Sequence, residues 1–260
     1  MFEIAYTMHR GKQNLRQEDC ILVNGALHQE CVLPIAVLSL ATDEALVAVA
    51  DGVHSSPMPH RASRTVLEEL TQAIQEHPEW LQAGFVANRH LRQVQERLSN
   101  RLADHPHTFS TASTIAVAHL RGDQAAVLNV GDSRVYQTDR EGHWRRLSKD
   151  HSVLQGLIDT GQASPDQEYA SIYGMLAHVL CADHEASDFD IHRTITTLAP
   201  GDRLVLCSDG VHDEIGEETM WSLFDPRLDV AAQTKVWRDA VWRHGAKDNL
   251  SLVVVVVMES

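Results

Sequence analysis

Three apolar runs in this chain end in the same way. LVAVA meets Asp51-Gly52, AAVLNV meets Gly131-Asp132, and RLVLCS meets Asp209-Gly210. Each reads as a buried strand that delivers an aspartate at its C-terminal end. A fourth carboxylate, Asp248, stands with Asn249 directly before the last strand, and in an antiparallel sheet the start of one strand lies at the same rim as the end of its neighbour. Four carboxylates can therefore converge on one edge. Taken singly, each is ordinary, because Asp-Gly is the commonest hairpin turn and Gly-Asp a common loop. The repetition is what carries information: gathered carboxylates repel one another and resist burial unless a cation compensates them. An all-oxygen ligand set favours Mg²⁺ or Mn²⁺ over zinc. Glu18-Asp19, just before the strand Cys20 to Val23, adds an acidic pair whose side chains face opposite ways, one able to ligate an ion and the other to orient a water.

The remaining pattern supplies the frame. Strands are predicted over 2–7, 20–23, 45–50, 113–120, 124–130, 134–138, 143–147, 189–195, 203–207 and 250–257, with a hairpin turn at Arg121-Gly122-Asp123. Helical spacing runs from 60 to 76 and stops at Pro78, and again from 83 to 102 and 229 to 243, with a short helix over 153–159 closed by Gly161. Hairpins interrupted by long helices argue against a doubly wound parallel sheet. The fold class expected is α+β: a central β-sandwich of two antiparallel sheets flanked by pairs of helices.

At 260 residues one large domain is the expectation, and 43% hydrophobic residues suit a soluble, folded chain. The net charge of -14 disfavours nucleic acid and anionic membrane. Cys20, Cys31, Cys181 and Cys207 form no CxxC pair and read as reduced core thiols in a cytoplasmic protein with no signal peptide. The sixteen histidines form no HExxH or finger spacing. Trp237 and Trp242, at helical spacing beside Val236 and Val241, read as core packing.

Together, GKQNLRQED (11–19), VADG (49–52), TASTIAV (111–117), VGDSRVY (130–136), LSKDHSVLQGLIDTG (147–161), GDRLVLCSDGVHD (201–213) and KDNLSLVVV (247–255) resemble the metal-dependent serine/threonine phosphatases of the protein phosphatase 2C family. The resemblance spans nearly the whole chain. It implies a single phosphatase domain over 1–260, with a flap at roughly 160–185. It also implies two Mn²⁺ or Mg²⁺ ions bridged by Asp51, with Asp209 and Asp248 completing one site, and Glu18 and the Gly52 carbonyl the other. Asp19 would hold a water from behind, so that Asp19, Asp51 and Asp209 carry the catalysis. Asp132 with Asp209 matches a weaker third metal site of bacterial-type members. A monomer acting on phosphoproteins made by an opposing serine/threonine kinase is the implied setting.

Two departures stand out. The family's phosphate-gripping arginine lies five residues before the aspartate that matches Asp19, where this chain has Asn14; Arg10 and Arg16 flank that position. After Asp51-Gly52 the chain carries Val53-His54-Ser55-Ser56-Pro57 in place of small residues, and His54 falls one place beyond a histidine that some members use to protonate the leaving group. Two rival readings keep the same site: a catalytically silent module that binds phosphoproteins or a signalling partner, and a hydrolase of small phosphoesters or anhydrides.

Overall fold

A computed structural model of the chain describes residues 1–77, 86–164, 167, 169–186 and 188–259. Its two main sheets each contain six strands paired antiparallel. One sheet has the order β10-β9-β13-β14-β1-β4, built from β1 (Phe2–His9), β4 (Val32–Leu40), β9 (Arg134–Thr138), β10 (Trp144–Arg146), β13 (Arg203–Cys207) and β14 (Leu250–Val257). The other has the order β12-β8-β7-β5-β2-β3, from β2 (Cys20–Val23), β3 (Ala26–His28), β5 (Glu44–Ala50), β7 (Ile115–Arg121), β8 (Gln124–Val130) and β12 (His192–Thr197). A short pair, β6 (Ala112–Ser113) with β11 (Leu180–Cys181), lies beside them.

The sequence makes this arrangement because its strands are apolar on both faces. Val253, Val255 and Leu204 point into the space between the sheets, while Val254, Val205 and Leu252 point outward against helices. An outward face that apolar must be covered. α1 (Pro59–Glu76) and α2 (Asn88–Leu102) cover one sheet through Val66, Leu70, Leu91 and Val94. α4 (Asp209–Ile215), α5 (Glu217–Ser222) and α6 (Val230–His244) cover the other, where Trp237 is fully buried and donates to the Met220 carbonyl at 2.8 Å. The short α3 (Val153–Asp159) lies outside both layers, with its Ser152 side chain accepting from the Gln155 amide.

Register sets the site. Cys20 pairs with Ala50, so the start of β2 and the end of β5 share a rim. β7 pairs antiparallel with both β5 and β8, which brings the ends of β5 and β8 to that same side. In the facing sheet Cys207 pairs with Leu252, placing the end of β13 beside the start of β14.

The structure corrects several expectations. β3 and β4 appear where no strand was expected; β4 contains Pro34, which this edge strand accommodates at the register shift between Leu33 and Ala36, where the missing N–H breaks no paired position. The strand expected over 189–195 is shifted to 192–197 by its pairing with β8. Asp209-Gly210, at the end of its strand as expected, opens a helix where none was expected, with Ser208 as its N-cap. Cys31 is exposed, unlike the buried Cys20 and Cys207, and all four thiols are free. Trp242 is 43% exposed, because it lies past the face of α6 that meets the sheet. The first residues of the second predicted helix, 83–85, lie outside the described residues.

Candidate metal centre

The strand ends meet at a cleft of about 110 Å³ lined by Glu18, Asp51, Gly52, His54, Asp132, Asp209 and Asp248, together with Val53, Thr114, Leu176 and Asn249. Every residue expected to ligate a metal is therefore on its wall, five carboxylates among them, and among the described residues no Lys or Arg is.

Each carboxylate is aimed by its own element. Asp51 leaves β5 with its amide donating to Thr114 Oγ1 at 3.1 Å, while its carbonyl accepts from the Thr114 amide and from Ser113 Oγ. The Thr114 hydroxyl is in turn bonded to Ser133 Oγ at 2.7 Å. Gly52 has no room for a side chain: a Cβ there would lie 2.4 Å from the Pro59 carbonyl oxygen and 2.8 Å from that of Glu18. Gly210 is tighter still, with the Asn249 carbonyl 1.8 Å from a would-be Cβ. These glycines let the strand ends approach closely enough for their neighbouring aspartates to share one cleft. Asn249 completes the frame. Its Oδ1 accepts from the Glu18 amide, and its Nδ2 donates to the Arg10 and Arg16 carbonyls at 2.8 and 3.2 Å, tying the N-terminal loop to the start of β14.

Asp19 stands behind this wall, fully buried. Its Oδ2 accepts from Ser208 Oγ and Ser251 Oγ, both at 2.8 Å, and its Oδ1 has no partner. A buried carboxylate oxygen left without a donor is costly, so it fits a position completed by water or an ion.

The electrostatics agree. Burial pushes the Asp19 carboxyl up to about 7, despite its two serine bonds, with the Asp209 charge adding to the rise. Burial likewise raises Asp132 to about 8, again with Asp209 contributing. Asp51 is driven well above the usual carboxylate range by burial and then by Asp209, Asp19 and Asp132; Asp209 is raised as well, burial being the largest cause. These aspartates raise one another's proton affinity, with His212 partly offsetting the effect at Asp209. An all-oxygen, anionic and desolvated donor set of this kind fits hard divalent cations such as Mn²⁺ or Mg²⁺.

The outer rim is arranged differently. Asn14 donates through Nδ2 to Asp248 Oδ1 at 2.7 Å, and His54 Nδ1 lies 2.7 Å from Glu18 Oε2, a contact that raises the histidine's proton affinity. Asn14, Arg10 and Arg16 are not on the cleft wall: Arg10 Nη1 donates to the Leu15 carbonyl at 3.1 Å, and Arg16 is exposed. Among the described residues, the one set of three potential ligand atoms lying within 4.8 Å of one another is elsewhere, at Asp139, Glu141 and His143 on the β9–β10 turn. In the cleft the approach is pairwise: Asp51 makes side-chain contacts with Asp209 and with Asp19, while rim partners engage Asp248 and Glu18.

Sequence reasoning assigned no role to Thr114, Asn249, Ser208, Ser251, His151 or His212. His212 Nε2 lies 3.1 Å from the Asp132 carbonyl. The one available signal was the position of these polar residues beside the strand ends that carry the acids.

Comparison with known proteins places this arrangement in context. The family model described as Protein phosphatase 2C matches residues 34–250. The serine/threonine protein phosphatase PstP of Mycobacterium tuberculosis is 26% identical over 216 residues, covering 82% of this chain and 40% of the relative; the chain thus spans well under half of that protein's length. The serine/threonine phosphatase stp of Listeria welshimeri is 23% identical, with 82% of this chain and 84% of the relative covered. A crystal structure of the catalytic domain of PstP in complex with 2 manganese ions superposes with a TM-score of 0.71 at 21% identity, covering 100% of both chains.

Proposed function

The chain belongs to the protein phosphatase 2C family, and on that premise we propose that it hydrolyses phosphoserine and phosphothreonine esters in proteins with the help of divalent metal ions. The observation that carries this reading is the cleft wall itself: five carboxylates, several desolvated, with no Lys or Arg beside them among the described residues. Such a wall is a poor place to put a phosphate until cations are added. Asp51, Asp209 and Asp248 would hold one ion, and Asp51, Glu18 and the Gly52 carbonyl a second; Asp132 with Asp209 would hold a third, weaker one. When bound, Mn²⁺ or Mg²⁺ supplies charge that acidifies water for in-line attack on phosphorus and neutralises the phosphoryl oxygens.

The chain's own residues do the positioning. Asp19 orients the attacking water from behind through the oxygen that has no protein donor, its other oxygen being fixed by Ser208 and Ser251. His54, on the solvent side and steered by Glu18, is placed to give the departing alcohol a proton. His54→Ala leaving the pH dependence of turnover unaltered would remove it from this role. No nucleophilic Cys or Ser is required, and the buried Cys20 and Cys207 are held as thiols, with burial pushing Cys20 up to about 12. The reading extends to a single domain with a flap at roughly 160–185, of which 165, 166 and 168 lie outside the described residues, acting as a cytoplasmic monomer on phosphoproteins made by a serine/threonine kinase.

Asn14 in place of the family's arginine favours the alternative of a weak or silent module. Hydrolysis of a phosphothreonine peptide decides between them: turnover that requires Mn²⁺ and disappears in Asp209→Asn supports the enzyme, and its absence in the intact protein supports the binding module.

A further inference from the structure

The segment Lys149-Asp150-His151-Ser152 joins β10 to α3, and it is held firmly on the strand side. Arg134 donates to the Asp150 carboxylate at 3.0 Å from Nε and 2.6 Å from Nη2, a bidentate grip. His151, next in the chain, is 8% exposed. Its amide donates to the Gly131 carbonyl at 3.0 Å, and its Nδ1 accepts from the Gly131 amide at 3.2 Å. Both backbone polar groups of Gly131 therefore end on one residue. Gly131 has a φ of 94°, a left-handed conformation natural to glycine, and a Cβ there would lie 2.6 Å from Thr114 Cγ2. It directly precedes Asp132 on the cleft wall.

His151 also reaches the other way. Its carbonyl accepts from the Ala177 amide at 2.7 Å, the Val153 amide donates to the Met175 carbonyl at 2.9 Å, and Ser152 bridges to Leu176. Leu176 lies on the same cleft wall as Asp132. An imidazole that accepts through Nδ1 must be neutral, with its proton on Nε2. Burial, and then the nearby His178, lowers His151 to about 4, which keeps it in that form at neutral pH.

We propose that His151 is a positioning residue that locks the Asp132 turn and the Leu176 segment together, so that ordering one orders the other. This rests on reading the cleft as the metal centre. The consequence is that whatever settles against Leu176 is felt at Asp132, although neither side chain needs to touch the other.

The test uses three variants of the full chain. Asn can place its amide oxygen near the position of Nδ1, Gln reaches only toward Nε2, and Leu can accept from neither. Amide exchange at Gly131 and Ala177, followed by NMR in the metal-free protein, gives a readout independent of activity. His151→Leu and His151→Gln should speed exchange at both amides about tenfold, the loss of roughly one hydrogen bond, while His151→Asn stays within about threefold of wild type. In turnover assays the Mn²⁺ concentration for half-maximal rate should rise in Leu and Gln and recover in Asn. Faster exchange at Gly131 with Ala177 unchanged would overturn the coupling, as would Asn behaving like Leu. Should Leu fail to fold, the Asn and Gln pair still decides. If wild type shows no turnover, the phosphatase reading fails while the exchange result still judges the coupling.

Discussion

Two acidic clusters in this molecule use the same kinds of residue to opposite ends. On the β9–β10 turn, Asp139, Glu141 and His143 crowd their ligand atoms within 4.8 Å of one another, yet Glu141 and His143 are exposed. At Asp139 the cost of burial, the largest single contribution, is outweighed by the combined effect of the bond from His143 Nδ1 at 2.6 Å, the His143 charge and the backbone amides of His143 and Glu141, so its carboxyl lies below the usual range. In the cleft, the carboxylates are desolvated and press on one another, and burial raises Asp19, Asp51, Asp132 and Asp209 together. On the hairpin, Asp139 already has His143 and two backbone amides as partners. On the function proposed above, carboxylates crowded together in water would be a poorer sign of a metal centre than carboxylates held out of it.

The contrast can be broken most decisively by removing one charge from each cluster. Asp209→Asn should lower Mn²⁺-dependent turnover of a phosphothreonine peptide by about a thousandfold or more, whereas Asp139→Asn should leave it within about twofold. Equal effects would erase the distinction. A smaller effect, of opposite sense, is expected on stability. Without metal, Asp209→Asn should raise Tm by roughly 2–6 °C, because a buried like charge is relieved; the same change at Asp139 should not raise it.

pH sharpens the same comparison. Asp19 and Asp132 keep their protons in the fold up to about 7 and 8, whereas the unfolded chain loses them near 3.8. Between those limits the fold binds more protons than the unfolded chain, so metal-free stability should fall as pH rises from about 4 to about 8. Chemical denaturation across that range checks the slope, and saturating Mn²⁺ should flatten it. The gentlest expected change is at the rim. Asn14→Arg should lower KM several-fold by adding a phosphate donor near Asp248; an unchanged or higher KM would show that the rim contributes no grip.

Much of the frame was legible because strand and helix periodicity is a local property. β2, β8, β9, β13 and α3 lie where the apolar pattern puts them. β4 was hidden by Pro34 and by its alternating half-buried pattern at the sheet edge, and α4 by an Asp-Gly pair that serves a turn or a helix start equally well. The acids were legible for the same local reason, each following its own apolar run. Their supports were not: Asn249 holds Glu18 across 231 positions, and Ser251 reaches Asp19 across 232. Such pairings follow from the register of whole sheets, which no short stretch of sequence specifies.

The most direct test is anomalous diffraction at the manganese edge from crystals grown with Mn²⁺. The account predicts peaks in the cleft within coordination distance of Asp51, Asp209 and Asp248, and none at the hairpin. Peaks confined to Asp139, Glu141 and His143, or an empty cleft with its aspartates turned apart, would contradict it.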